Sequence, residues 1–167
     1  MHRQSRIRTA VPIAVAALAC AAGLPAQAAT DSTTMAVTAT VLTACTVAAT
    51  PLAFGNYDPT AGNTDATATV TVICTGGTPY NLQMSQGTNG VSVSNRRLLS
   101  GVSDYLSYAL YRDASRTQNW GETNGTDTVS GTGVISGNTH TVYGRIASGS
   151  SAVAGAYADT ITVTVSY

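Results

Sequence analysis

Alternating apolar and polar residues run along most of the chain after residue 33. Between residues 65 and 74, apolar side chains occupy every second position, and threonines occupy most of the positions between them. Because successive side chains of a β-strand point to opposite faces, this period of two predicts a strand with one buried face. The predicted buried face is Ala66, Ala68, Val70, Val72 and Cys74.

The same period predicts several further strands. It is clearest in residues 157–167, where Ile161, Val163 and Val165 alternate with threonine and serine, so we predict one long strand there. Shorter alternations at residues 80–84, 105–113 and 140–146 predict three more strands. The Asn89-Gly90 pair, followed by the alternating Val91 and Val93, predicts a hairpin turn.

Residues 33–41 alternate as well, ahead of the first cysteine of the body. Met35, Val37, Ala39 and Val41 share one parity. From the pattern alone, this segment reads as a first strand that pairs inside its own domain.

No sustained helical period follows the N-terminal region, and residues 121–139 are rich in glycine, threonine, serine and asparagine, which predicts a long turn or hairpin region. Turn residues recur at intervals that suit a sandwich better than alternating strands and helices. The predicted fold class is therefore all-β, as one sandwich domain.

The N-terminal region has the pattern of a secretory signal peptide. Three arginines precede an apolar run over residues 10–24, and an Ala-x-Ala site lies at residues 26–28. This arrangement predicts a signal peptide over residues 1–28, cleaved after Ala28. A lipoprotein anchor at Cys20 is the alternative, although the downstream Ala-x-Ala site argues against it. No later run approaches the roughly 20 apolar residues that a membrane span requires.

Cleavage would change both the charge and the cysteine count. The leader contains three of the eight basic residues and none of the eight acidic ones, so the remaining chain would carry 5 − 8 = −3 charges. It would keep Cys45 and Cys74, an even pair in an oxidising compartment, which predicts a disulfide. Metal binding is the alternative for such a pair, but no second cluster of Cys or His completes a ligand set.

The composition argues against two classes of function. Only 10% of the residues are charged and lysine is absent, so electrostatic nucleic-acid binding is not expected. His140 is the one histidine outside the leader, the acidic residues are scattered, and no nucleophile-elbow or Walker pattern occurs. We expect no enzymatic activity, no cofactor and no metal.

Several short motifs, in this order and spacing, resemble the spore coat protein U domain of archaic, Csu-type chaperone-usher pilus subunits. The resemblance spans nearly the whole chain after the leader. The motifs are Cys45-Thr46-Val47, Phe54-Gly55, the Val70–Cys74 strand, the run from Leu106 to Asp113, Trp120-Gly121, Tyr143-Gly144-Arg145-Ile146 and the closing run over residues 157–167.

The resemblance implies an incomplete, pilin-type immunoglobulin-like sandwich that lacks one strand and leaves an apolar groove open. In such families a periplasmic chaperone lends a strand to the groove, and an outer-membrane usher exchanges it for the N-terminal extension of the next subunit. Residues 29–42 would be this donor extension, with Met35, Val37, Ala39 and Val41 as its groove-filling face, and residues 43–167 the domain. Ile161, Val163 and Val165 are the candidates for the acceptor groove.

The function that the resemblance implies is a structural subunit of a surface pilus, exported to the periplasm and assembled at the cell surface, where the fibre supports attachment and biofilm formation. Its expected partners are the chaperone, the usher and neighbouring pilin subunits in a homopolymer. The alternative is a secreted, self-contained sandwich with a coat or carbohydrate-binding role, whose N-terminal strand pairs within its own domain. A periplasmic enzyme that depends on His140 or on a pair of acidic residues is a third hypothesis.

Overall fold

The computed structural model describes residues 27–167, and these residues form eight β-strands and no helix. Within them, no segment is helical, long and apolar enough to cross a membrane. The strands are β1 Cys45–Ala49, β2 Thr64–Cys74, β3 Pro79–Met84, β4 Arg96–Ser100, β5 Asp104–Tyr111, β6 Val129–Thr132, β7 Asn138–Ile146 and β8 Val163–Ser166.

The strands form two antiparallel sheets. One has the order β1-β2-β7-β5-β4, and the other has the order β6-β3-β8. Except for the β1–β2 and β4–β5 pairs, each consecutive pair of strands lies in different sheets, so the chain crosses repeatedly between the two layers. The all-β sandwich that the alternating pattern predicted is confirmed.

The core lies between the sheets and follows the predicted parity. On β2, Ala68, Val70, Val72 and Cys74 are buried while the residues between them are at least partly exposed. The alternations on β3, β5 and β7 are buried in the same way. Threonine therefore serves as the outward residue of a strand whose inward residues are small and apolar.

The predicted disulfide is present between Cys45 and Cys74, which lie directly opposite each other in the β1–β2 ladder. The bond closes one end of the sandwich, where the turns 75–78 and 133–137 also lie. We call this the disulfide end. The loops 85–95, 101–103 and 147–156 lie at the opposite end, because they follow or precede the other ends of the same antiparallel strands.

A buried arginine fastens the crossing from β3 to β4. Arg96 is fully buried, and its guanidinium donates to the carbonyl oxygens of Ser85 (2.8 Å), Val93 (2.6 Å), Met84 (2.9 Å) and Trp120 (2.6 Å). These carbonyls come from three separate segments of the chain. Charge-assisted hydrogen bonds of this kind are stronger than neutral ones and offset the desolvation of the cation.

The predicted hairpin at Asn89-Gly90 is wrong. β3 pairs with β6 and β8, whereas β4 pairs with β5 in the other sheet. Residues 85–95 form a loop between the layers, in which Asn89 donates to the Asp159 carboxylate from its backbone amide and its side chain. Tertiary hydrogen bonds, rather than a local turn, determine the path of this segment.

The C-terminal strand is shorter than predicted. The ladder of β8 covers only Val163–Ser166, although the alternation of burial continues back to Tyr157. Residues 157–162 bond instead to two other segments: Ala158 pairs with Leu99 of β4, whereas the Thr160 carbonyl accepts from the Thr88 amide in the loop after β3. A segment that passes from one sheet to the other cannot keep one continuous ladder.

Two further differences concern short segments. Strand β6 lies inside the glycine-rich stretch that was predicted as a turn or hairpin region. Residues 33–41 form no strand, and residues 27–39 belong to a unit separate from residues 40–167. The signal peptide and the Cys20 alternative fall almost wholly outside the described residues.

Arg96→Met should destabilise the domain by about 3 kcal/mol or more, because four buried carbonyls would lose a charged donor. Urea unfolding followed by tryptophan fluorescence measures the effect, since Trp120 supplies one of the carbonyls. Arg97→Met is the matched control: Arg97 stacks on Tyr105 at 4.2 Å and donates one hydrogen bond to Asn89, so its loss should cost about 1 kcal/mol. Equal effects of the two substitutions would contradict the role assigned to Arg96.

Candidate functional site

An open apolar cavity of about 510 Å³ lies between the two sheets, along one side of the sandwich. One wall is the segment from Ala49 to Phe54, and the other is the segment from Asp159 to Val163. Its floor is the inward face of the five-stranded sheet. The floor residues are Ala68, Val70, Leu98, Tyr108, Leu110 and Val142.

The cavity exists because the outer strands of the two sheets stop short. β1 packs beside β8 near the disulfide end, but β1 ends at Ala49 and β8 begins at Val163. Beyond these residues the two edges continue as segments without a ladder. The side of the sandwich is therefore closed at the disulfide end and open from its middle to the opposite end.

A second cavity, of about 1110 Å³, continues from the first one toward the opposite end. Leu52, Phe54, Leu98 and Asp159 line both cavities, and residues 152–158 add a further wall. We call the two together the groove. Two continuous cavities whose lining side chains are mostly apolar suit an extended chain segment better than a compact small molecule.

Both walls of the groove have backbone groups without partners. The amides and carbonyls of Asp159 and Ile161 make no hydrogen bond in residues 27–167, and neither do the carbonyls of residues 51–54 or the amides of residues 52–54. On the other side of the same segment, the Thr162 carbonyl accepts from the Ser85 amide at 3.0 Å. Residues 158, 160 and 162 thus bond to the domain, while Asp159 and Ile161 between them form an open strand edge.

One polar cluster interrupts the apolar lining. The Asp159 carboxylate accepts from the Tyr108 hydroxyl at 2.7 Å and from the backbone and side-chain nitrogens of Asn89, both at 3.1 Å. Burial, followed by the hydrogen bond to Asp159, raises the pKa of Tyr108 far above its usual value. Tyr108 therefore stays neutral and keeps its proton available for Asp159.

The residues predicted for the acceptor side lie partly in this groove. Ile161 and Val163 line it and are half-buried, whereas Val165 packs against the core outside the lining. Sequence reasoning missed the facing wall, Leu52 and Phe54, which are two residues apart but do not continue the inward parity of β1. It also missed Leu98 and Tyr108, whose approach depends on how β4 and β5 pack.

The residues predicted for the donor segment lie in no strand. Met35 and Val37 are each 83% exposed and Val41 is 81% exposed, and Ala39 is exposed as well. Four apolar side chains of one parity thus remain in solvent. Exposed apolar residues in such a regular series are typical of an interaction segment.

His140 has a structural environment. Its Nε2 atom lies 2.8 Å from the Tyr80 hydroxyl, which also accepts from the Asn138 side chain at 2.9 Å. Burial lowers the pKa of His140, so the ring is neutral at neutral pH. The contact links β7 to β3 and so joins the two sheets. Among residues 27–167, no three His, Cys, Asp or Glu residues are grouped as metal ligands would be.

Comparison with known proteins identifies a family and proteins of similar sequence or fold. Residues 31–164 match the family model described as the Spore Coat Protein U domain. A curated relative, Protein U of Myxococcus xanthus, is 33% identical over 96% of this chain and 98% of its own length.

A solved structure has a similar fold with a TM-score of 0.57 and 22% identity. It is the CsuC–CsuE chaperone–tip adhesion subunit pre-assembly complex from archaic chaperone-usher Csu pili of Acinetobacter baumannii. The match covers 77% of this chain and 41% of the solved chain, so the chain spans less than half of the structure that it resembles.

Tyr108→Phe should change how stability depends on alkaline pH. Because the folded state favours the neutral phenol, ionisation of Tyr108 in the unfolded state lowers the free energy of unfolding as the pH rises above about 10. The loss is at most about 1.4 kcal/mol per pH unit, and Tyr108→Phe should remove it. Urea unfolding midpoints at pH 8, 10 and 11 measure the dependence.

Tyr105→Phe is the control for this prediction, because Tyr105 is an exposed tyrosine of the same strand. It should leave the alkaline slope of the wild-type protein unchanged. A slope that Tyr108→Phe also leaves unchanged would show that the buried phenol does not carry the effect.

Proposed function

Because the chain belongs to the Spore Coat Protein U domain family, we propose that it is a structural subunit of a surface pilus, assembled through the chaperone-usher pathway by donor-strand exchange. The observation that carries the proposal is the apolar groove, whose two walls have unpaired backbone groups. An inserted strand would satisfy these groups and cover the apolar floor in one step.

The groove has the properties of an acceptor site. The edge at Asp159 and Ile161 offers amides and carbonyls at the spacing of a strand, and the apolar floor, which includes Val70 and Leu98, would receive alternate side chains of a donor. β-Augmentation, of which donor-strand complementation is an established case, uses this combination: the backbone supplies affinity and the pockets set the register.

Residues 33–41 have the properties of the donor. One face of the segment carries Met35, Val37, Ala39 and Val41, and these residues span about 20 Å when extended. Burial of a Met or Val side chain stabilises an association by about 1.5 to 3 kcal/mol. Since Ala39 is small, Met35, Val37 and Val41 would supply most of the buried apolar area.

The proposal includes a chaperone and an usher as partners. An open apolar groove with a free strand edge is an aggregation hazard, so a subunit needs a temporary strand until its neighbour arrives. The solved complex with a similar fold pairs a chaperone with a tip adhesion subunit, which supports a chaperone as partner. The chain would pass through the periplasm and end in a surface fibre, a homopolymer that supports attachment and biofilm formation.

A second candidate is a self-contained coat protein. The family description, Spore Coat Protein U domain, favours a coat role. In that case the N-terminal segment would pair within its own sandwich, and the purified chain would be a stable monomer. Size-exclusion chromatography separates the two candidates. Donor-strand polymers form a series of sizes that differ by one subunit and survive mild denaturant, and we call such a series a ladder.

Val37→Asp should abolish these ladders when the chain is co-expressed with its chaperone and usher. The substitution would place a carboxylate in the apolar floor of a neighbour, where an unpaired charge is strongly unfavourable. Thr38→Asp is the matched control, because Thr38 has the opposite parity and would point away from the floor; its ladders should persist. Ladders that persist with Val37→Asp would mean that residues 33–41 are not the donor.

Ile161→Asp tests the acceptor side in the same assay. Ile161 is half-buried at the wall of the groove, so the domain should fold, but a donor strand would then lie against a new charge. We expect loss of ladders while the β-sheet fold is retained, checked by circular dichroism. Thr162→Asp, at an exposed position beside it, should leave the ladders intact; if both variants polymerise equally, the groove is not the acceptor.

A further inference from the structure

The disulfide end of the sandwich carries exposed apolar side chains that the groove does not use. Leu42 is 77% exposed and Ile135 is 82% exposed, while Ile73 and Val134 are 44% and 39% exposed. Ile135 lies in the turn between β6 and β7, where polar residues are more usual. These four residues are called the end patch.

Hydrogen bonds hold the members of the end patch beside one another. The Thr75 hydroxyl donates to the Leu42 carbonyl at 2.9 Å, and the Thr75 amide donates to the Ala44 carbonyl at 2.9 Å. The preceding amide, that of Cys74, donates to the Val134 carbonyl at 3.4 Å. Residues 73–75 thus connect the entry of the N-terminal segment to the turn that presents Ile135.

The surroundings of the end patch are uncharged. Residues 40–49, 71–81 and 130–140, which make up the disulfide end, contain no Asp, Glu, Lys or Arg. A solvated end of a soluble monomer normally carries charges. An apolar patch in an uncharged setting is typical of a surface that another protein covers.

The chain connection identifies that other protein. The proposed donor face ends at Val41, and the Leu42 carbonyl is already bonded to Thr75 of its own domain. No free residue therefore separates the segment in a neighbour's groove from the body that supplies it. When Val41 is seated in the neighbour, Leu42 and the rest of the disulfide end must lie against that neighbour.

We propose that the end patch is a second interface between consecutive copies of this chain, packed against the copy whose groove holds residues 33–41. This inference rests on the proposed function. In a head-to-tail filament, each copy contacts one neighbour through one surface and the other neighbour through a different surface. The end patch of one copy would therefore meet a different surface of the next copy, which is a heterologous contact.

Fibres of Ile135→Asn and of the double variant with Leu42→Asn test the interface. Both side chains are exposed, so the fold and donor-strand ladders should persist. Electron microscopy should show a broader distribution of angles between consecutive subunits and a shorter persistence length than in wild-type fibres. Two control variants should behave like wild type. Ser136→Asn places the same side chain in the same turn without removing an apolar group, and Ile135→Val keeps an apolar group at this position.

Hydroxyl-radical footprinting provides a second measurement that needs no variant in the patch. The reference is a monomer whose own donor strand is blocked by Val37→Asp and whose groove is filled by a synthetic peptide of residues 33–41. Leu42 and Ile135 should react less with hydroxyl radicals in wild-type fibres than in this monomer. Equal reactivity, or variant fibres with the stiffness of wild type, would overturn the interface while leaving donor-strand exchange intact. A wild-type chain that forms no ladder would overturn both proposals.

Discussion

The missing pairing between the segment after β1 and the segment before β8 is the constraint on which the rest of the structure depends. Where the outer strands meet, the disulfide and the buried residues of β2 and β3 close the sandwich. Beyond Ala49 and before Val163, the edges diverge and the apolar floor faces solvent. The same fold is therefore a closed core at one end and an unfinished one at the other.

The molecule supports this unfinished half with polar contacts in place of a strand. Arg96 bonds to carbonyls from three segments, and Asp159 bonds to Tyr108 and Asn89. These contacts hold the crossing loops and the groove wall in position without covering the floor. A groove that is preformed in this way takes up an incoming strand at a lower entropic cost.

The groove and the point where the chain enters the body differ in position along the sandwich. Leu42 bonds to Thr75 at the disulfide end, whereas the groove opens toward the other end. Under the proposed donor-strand exchange, this separation would favour a linear series of copies over a closed pair. The uncharged end patch is consistent with a neighbour that lies close by.

The sequence alone determined the strands whose burial alternates with a period of two, together with the disulfide, because β2, β5 and β7 bury one parity along their length. Through a family resemblance it also indicated Ile161, Val163 and Val165 as candidates for an acceptor groove, and that role stays a prediction. Only the tertiary structure decided which strands pair. The predictions of a hairpin turn at Asn89-Gly90 and of a long C-terminal strand were wrong. Segments that cross between sheets form their hydrogen bonds with residues distant in the sequence, and a local pattern does not contain this information.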